Sequence, residues 1–87
     1  MSARQDNAIL KKSFEFAVRI VNLYKYLTSE QNEYVLAKQV LRSGTSIGAN
    51  VHEAVEGFSE KDFQYKLNTA LKEARETEYW LNLLYRT

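Results

Sequence analysis

The chain has 87 residues, 45% of them hydrophobic and 26% charged, with 12 lysines and arginines against 11 aspartates and glutamates. It contains no cysteine, no proline and three glycines. This composition excludes disulfide-stapled secreted domains and supplies too few turn residues for an all-β fold. The apolar content and the formal charge of +1 also exclude disorder. One small domain built from long helices remains.

The charge balance and the N-terminus restrict compartment and partners. A net charge of +1 does not favour an isolated nucleic-acid-binding module, which usually carries a clear basic excess. No apolar run approaches the roughly 18 residues of a membrane span, and the first residues lack the apolar core of a secretory signal. We therefore predict a cytoplasmic protein without a membrane partner.

The first predicted helix covers residues 7–28, with Asp6, Asn7 or Ser13 as its N-cap. Its apolar positions sweep an arc of roughly 220°, whereas a helix packed on one side needs slightly more than 100°. Within that arc, Phe14 falls on the stripe assigned to the core. The excess apolar surface predicts neighbours on two sides of this helix, which is the first indication of self-association.

The second predicted helix covers residues 33–57 and ends at Gly57 as a C-cap. Small residues recur at helical spacing in its middle, so we expect the helix to continue through them despite the cost of glycine, about 1 kcal/mol against alanine. These residues would let another backbone approach closely. The predicted helix-packing motif consists of Ser43, Gly44, Thr45, Ser46, Gly48, Ala49 and Asn50.

The third predicted helix covers residues 60–85, and Ser59 with Asp62 resembles a capping box at its start. Besides its core stripe it carries a second apolar patch, which we interpret as a subunit interface: Tyr65, Tyr79, Trp80 and Leu83. The alternatives for its aromatic side chains are contact with a further helix and stacking on single-stranded bases. Three long helices with short loops predict an all-α, up-and-down antiparallel helical bundle that forms a single domain over residues 1–87.

Several stretches of the sequence resemble the 23S rRNA-intervening-sequence proteins, a family of four-helix-bundle proteins. The run Arg-Ser-Gly-Thr-Ser-Ile-Gly-Ala-Asn is the most specific of them, and Tyr-Trp-Leu follows at the expected distance. The matching residues are 13–17, 20–27, 41–51, 53–54, 62–63, 66–67, 70, 72–74, 76–77 and 79–81.

The resemblance implies a bundle that assembles as a homo-oligomer, with the pentamer as the form associated with the family, and no catalytic activity. The accessory protein of diversity-generating retroelements looks like a relative that binds nucleic acid. A fourth helix normally follows the third in this family, whereas the present chain ends at Thr87.

Catalytic and ligand sites have little support in the residues. The segment from Gly44 to Gly48 has three residues between its glycines and no following lysine, unlike a P-loop. A di-metal carboxylate site needs two Glu-x-x-His motifs, but His52 is the single histidine. Without cysteine, His52 is also the one familiar base for a catalytic triad. We predict no enzyme activity, no cofactor, no metal and no small-molecule substrate.

Basic side chains are the remaining candidates for binding RNA or DNA. The acid–base pairs Glu15–Arg19, Asp62–Lys66 and Lys72–Glu76 are spaced to neutralise each other. The candidate nucleic-acid contacts are Lys38, Arg42, Lys11, Lys12 and Arg19. A homo-oligomer would repeat such a patch in every subunit. The sequence thus predicts a non-enzymatic accessory scaffold that binds nucleic acid; the alternative is a purely structural or protein-interaction module.

Overall fold

The computed structural model describes the backbone of residues 3–87 and the side chains of residues 8–87. It consists of the helices α1 (Ala3–Ser29), α2 (Val35–Val55) and α3 (Glu60–Arg86), and no strand occurs in this part of the chain. The all-α class is therefore confirmed. None of the described helices is both long and apolar enough to cross a membrane.

Helix α2 lies between the other two helices. It packs against both α1 and α3, whereas the backbones of α1 and α3 stay more than 8 Å apart, Cα to Cα, within residues 3–87. The longest dimension of the molecule is 43 Å. A single helix of 27 residues, the length of α1 and of α3, would extend over ~40 Å, so the helices lie side by side. The short connections make successive helices antiparallel.

Two helix starts differ from the prediction. Helix α1 begins at Ala3 rather than at residue 7, and the side chains of Asp6 and Asn7 lie outside the described residues. Ser13 lies inside the helix, where its Oγ donates to the carbonyl oxygen of Leu10 at 3.2 Å, so it is not an N-cap. Helix α2 begins at Val35, two residues later than predicted.

Local hydrogen bonds account for the turns. Asn32 adopts a left-handed backbone conformation (φ 53°), which asparagine tolerates better than most residues. The Glu33 carboxylate then accepts the N–H of Leu36 at 2.8 Å. At α3, Ser59 Oγ accepts the N–H of Asp62 at 3.1 Å, as the capping motif predicts. Gly57 does not have a positive φ and α2 ends at Val55, so the predicted glycine C-cap is wrong.

The core is made of small side chains and centres on α2. This helix contributes seven buried residues, and among the described residues of its neighbours only four are buried: Ile20, Leu27, Ala70 and Thr77. Several large apolar side chains therefore remain in contact with solvent, including Phe14, Val18, Tyr65 and Tyr79. These exposed side chains are where interactions outside the bundle can form.

Candidate functional site

The two glycines of the small-residue motif allow α1 and α2 to pack closely. A Cβ atom at Gly44 would lie 2.8 Å from Ile20 Cγ1, and one at Gly48 would lie 3.2 Å from the carbonyl oxygen of Ser13. Helix α2 runs through both positions without interruption. Ala49, by contrast, is exposed. The glycines thus serve contact with α1 rather than phosphate binding.

One polar member of the motif joins α2 to α3. Ser43 is fully buried, and Thr77 Oγ1 lies 2.9 Å from Ser43 Oγ. The other polar members bond to backbone within their own helix: Thr45 to Leu41 at 2.7 Å, Ser46 to Ser43 at 2.9 Å, and Asn50 to Ser46 at 2.8 Å. No buried side-chain nitrogen or oxygen lacks a partner in residues 8–87. Hydrogen bonds within the bundle therefore account for all the polar side chains of the motif.

Arg42 belongs to an ion-pair network across α2 and α3. Its guanidinium contacts the carboxylates of Glu73, at 3.5 Å, and of Glu76. Glu76 also accepts the indole N–H of Trp80 at 3.0 Å. Two carboxylates consequently face the one guanidinium, which leaves no excess positive charge here for a phosphate.

The five predicted nucleic-acid contacts do not form one surface. Gly44 packs on α1, and Arg42 lies two residues from it, about 160° around α2. Lys38 is exposed on α2, and Lys11 is exposed on α1. Lys12 and Arg19 line a depression on α1 together with Glu15 and Phe16. The structure thus brings Lys12 and Arg19 together and separates them from Arg42.

We expect Arg42→Gln to lower the free energy of unfolding by about 0.5–1 kcal/mol, because a half-exposed ion pair contributes modestly. Urea unfolding at low and high salt measures this effect, and the loss should shrink at high salt as screening weakens the wild-type pairs. Lys38→Gln, one turn away on α2, is the matched control. An equal effect of both variants would contradict the network.

The acid–base pairs expected within single helices are not formed. None of Glu15–Arg19, Asp62–Lys66 and Lys72–Glu76 is an ion pair in residues 8–87. Lys66 instead contacts Glu53 of α2 at 2.6 Å. The hydrogen bond and charge of Glu53 raise the pKa of Lys66 above its usual range. Partners on the neighbouring helix have therefore replaced two of the three predicted partners.

The aromatic patch on α3 divides into two parts. Tyr65 and Tyr79 are 64% and 60% exposed. Trp80 and Leu83 are half-buried, and Trp80 meets the Tyr79 ring edge-on, with centroids 5.1 Å apart. Trp80 thus takes part in the α2–α3 network through Glu76, while both tyrosines project to solvent.

A further apolar surface lies on α1, where the sequence pattern assigned Phe14 to the core. Phe14 is 63% exposed and Val18 is 46% exposed. Both line an open depression of about 370 Å³ together with Ala17 and Val21. The assignment of Phe14 to the core is therefore wrong. We call Phe14, Ala17, Val18 and Val21 the α1 apolar stripe. In the sequence, the roughly 220° arc of apolar positions, which is wider than one packed face requires, indicated this surface.

Metal-ligating side chains do not gather anywhere in the described chain. No group of three or more histidine, aspartate and glutamate side chains there could hold a metal ion. His52 is exposed and makes no side-chain hydrogen bond or ion pair among the described contacts. The candidate surfaces are therefore the cationic, aromatic and apolar ones described above.

Comparison with known proteins identifies a family and related solved structures. The family described as 23S rRNA-intervening sequence protein matches residues 5–87. A similar fold occurs in the 1.70 Å crystal structure of a protein with unknown function from the S23 ribosomal protein family of Bacteroides thetaiotaomicron. That structure has a TM-score of 0.91 and 67% identity, covering 93% of this chain and 72% of the other. No curated protein matches.

Proposed function

The chain belongs to the family of 23S rRNA-intervening sequence proteins, and on that premise we propose that it is a non-enzymatic, homo-oligomeric cytoplasmic scaffold that binds nucleic acid. The observation that carries self-association is the α1 apolar stripe, which neither α2 nor α3 covers. The family description supports RNA or DNA as the second partner. The pentamer is the assembly that the resemblance favours.

Burial of the α1 apolar stripe between subunits would supply the energy of assembly. A fully buried large apolar side chain contributes ~1.5–3 kcal/mol, so the exposed fractions of Phe14 and Val18 represent roughly 2 kcal/mol per copy. An odd-numbered ring pairs this stripe with a different surface of the next subunit, since a self-complementary contact produces only two-fold symmetry.

Sedimentation velocity of the wild type and of Phe14→Ser/Val18→Ser tests self-association. We expect a homo-oligomer for the wild type and an assembly weakened at least about tenfold for the variant, with unchanged helical circular dichroism. Val35→Ser is the control, because Val35 is 74% exposed outside the stripe, at the start of α2. A wild type that is monomeric at all concentrations would refute the assembly.

A second candidate function is a protein-interaction module without nucleic-acid contact. The near-zero net charge and the pairing of Arg42 with two carboxylates favour it. Electrophoretic mobility shifts with RNA at several salt concentrations separate the two candidates. The proposed scaffold binds and loses affinity steeply as salt rises, whereas the interaction module shows no binding even at low salt.

A further inference from the structure

Helix α3 carries a short sequence repeat whose tyrosine, asparagine and lysine or arginine positions face away from α2. The pattern Tyr-x-Leu-Asn-x-x-x-Lys/Arg occurs at residues 65–72 and again at 79–86. The buried residues of α3 are Ala70 and Thr77. Lys72 lies two positions from Ala70 and Tyr79 two positions from Thr77, so each is about 160° around the helix from the α2 contact.

Six exposed side chains share this face. Neighbouring members are three, four or seven residues apart, and each of these spacings returns to the same side of an α-helix. We call them the α3 outer stripe: Lys61, Tyr65, Lys72, Arg75, Tyr79 and Arg86. The stripe extends over ~37 Å at 1.5 Å per residue. Between the larger side chains lie Asn68 and Asn82, also exposed.

The four cations of the α3 outer stripe are not neutralised. None of Lys61, Lys72, Arg75 and Arg86 makes an ion pair within the described residues. The acid nearest to Lys72 in helical spacing is Glu76, whose carboxylate instead binds Arg42 and Trp80. The ion-pair network between α2 and α3 thereby leaves this face with an excess of positive charge.

Exposed aromatic rings alternate with these cations. Tyr65 and Tyr79 keep 64% and 60% of their surface in solvent. Lys66 Nζ lies 5.9 Å from the centroid of the Tyr65 ring. Cations that follow a backbone of phosphates, combined with aromatic rings on which bases stack, are the two elements of single-strand recognition. In a duplex the bases are already stacked and cannot pack on a tyrosine.

We propose that the α3 outer stripe binds single-stranded nucleic acid, with its lysines and arginines on phosphates and its two tyrosines stacked on bases. The proposal rests on the nucleic-acid part of the proposed function and locates it on α3 rather than around Arg42. A second copy of this stripe is not its partner, because facing cations would repel. The assembly contact lies instead on the α1 apolar stripe.

Fluorescence anisotropy with labelled oligouridylate, and with its duplex with oligoadenylate, tests the proposal. For single strands, each phosphate contact adds ~0.7 to the steepness with which log K falls as the logarithm of the salt concentration rises. Lys72→Gln/Arg75→Gln should therefore lower the slope by about 1.4 and weaken binding about tenfold or more at low salt. Tyr65→Ala should also weaken binding about tenfold, whereas Tyr65→Phe should retain it.

Lys11→Gln/Lys38→Gln removes the same charge from α1 and α2 and should bind like the wild type. If the wild type binds and the α3 variants bind equally well, the stripe is not the site and nucleic-acid binding stands. Tighter binding of the duplex would also overturn the single-strand assignment. A changed mass of the α3 variants would make the stripe a subunit interface. Absence of wild-type binding would refute both this proposal and the nucleic-acid part of the proposed function.

Discussion

Gly44→Leu is expected to lower the free energy of unfolding by more than about 3 kcal/mol, above the ~1–3 kcal/mol typical of overpacked cores. Even a single Cβ at this position would meet three carbon atoms of Ile20 at 2.8, 2.9 and 3.0 Å. Ile20 is itself only 3% exposed, so its side chain cannot turn towards solvent without losing its buried contacts. The leucine must therefore push α1 away from α2.

Chemical unfolding followed by circular dichroism measures this loss, and two further variants show its cause. Gly44→Ala gains about 1 kcal/mol of helix propensity but strains Ile20, so it should be less stable than the wild type by about 1 kcal/mol. Ala49→Leu, on an exposed position of the same helix, should be nearly neutral. Gly44→Leu/Ile20→Ala should be more stable than the sum of its single variants predicts; strict additivity would contradict direct contact.

The glycines also show how far the sequence alone determines the fold. The spacing of Gly44 and Gly48 correctly indicated a continuous helix, because both positions pack against the same neighbouring helix, α1. Gly57 was misread because the end of α2 is decided by Glu56 and the following turn, where no glycine needs a positive φ. Helix ends depend on a few local hydrogen bonds, which residue types alone do not specify.

The candidate sites were less predictable because their charges are partnered across helices. Spacing within one helix favoured an ion pair between Lys72 and Glu76. Glu76 instead forms its ion pair with the guanidinium of Arg42 on α2. Lys66 likewise pairs with Glu53 rather than with Asp62. Which cations remain unpaired therefore follows from helix packing. Arg42 changes from a nucleic-acid candidate to a structural residue, whereas Lys72, which the spacing paired with Glu76, makes no ion pair in residues 8–87.

The central position of α2 connects these findings. One side of this helix accepts α1 through glycines, and another binds α3 through Ser43 and Arg42. Helices α1 and α3 each direct one face to α2 and leave another face to solvent: the α1 apolar stripe and the α3 outer stripe. An apolar surface and a cationic one favour different partners, so the two proposed roles, assembly and nucleic-acid binding, would fall on different helices.

The buried Ser43–Thr77 contact is expected to behave as a unit. Thr77→Val keeps the side-chain volume but leaves Ser43 Oγ without the hydroxyl that lies 2.9 Å from it. Ser43 still donates to the carbonyl oxygen of Gln39 at 3.0 Å. For Ser43 the variant thus removes only the hydrogen bond that Oγ accepts, and we expect a loss of about 1 kcal/mol in the free energy of unfolding, the typical net contribution of one hydrogen bond.

The double variant Ser43→Ala/Thr77→Val removes both hydroxyls at once and leaves no buried polar side chain unpaired at this contact. It should be nearly as stable as the wild type, and more stable than the sum of the two single losses by about 1 kcal/mol. Urea unfolding of all four proteins measures the coupling. Thr69→Val is the control for a hydroxyl that bonds only within its own helix, to Tyr65 at 3.0 Å, and it should show no coupling to Ser43. If the losses at Ser43 and Thr77 simply add, the two hydroxyls are independent, and the α2–α3 contact at this point depends on side-chain shape alone.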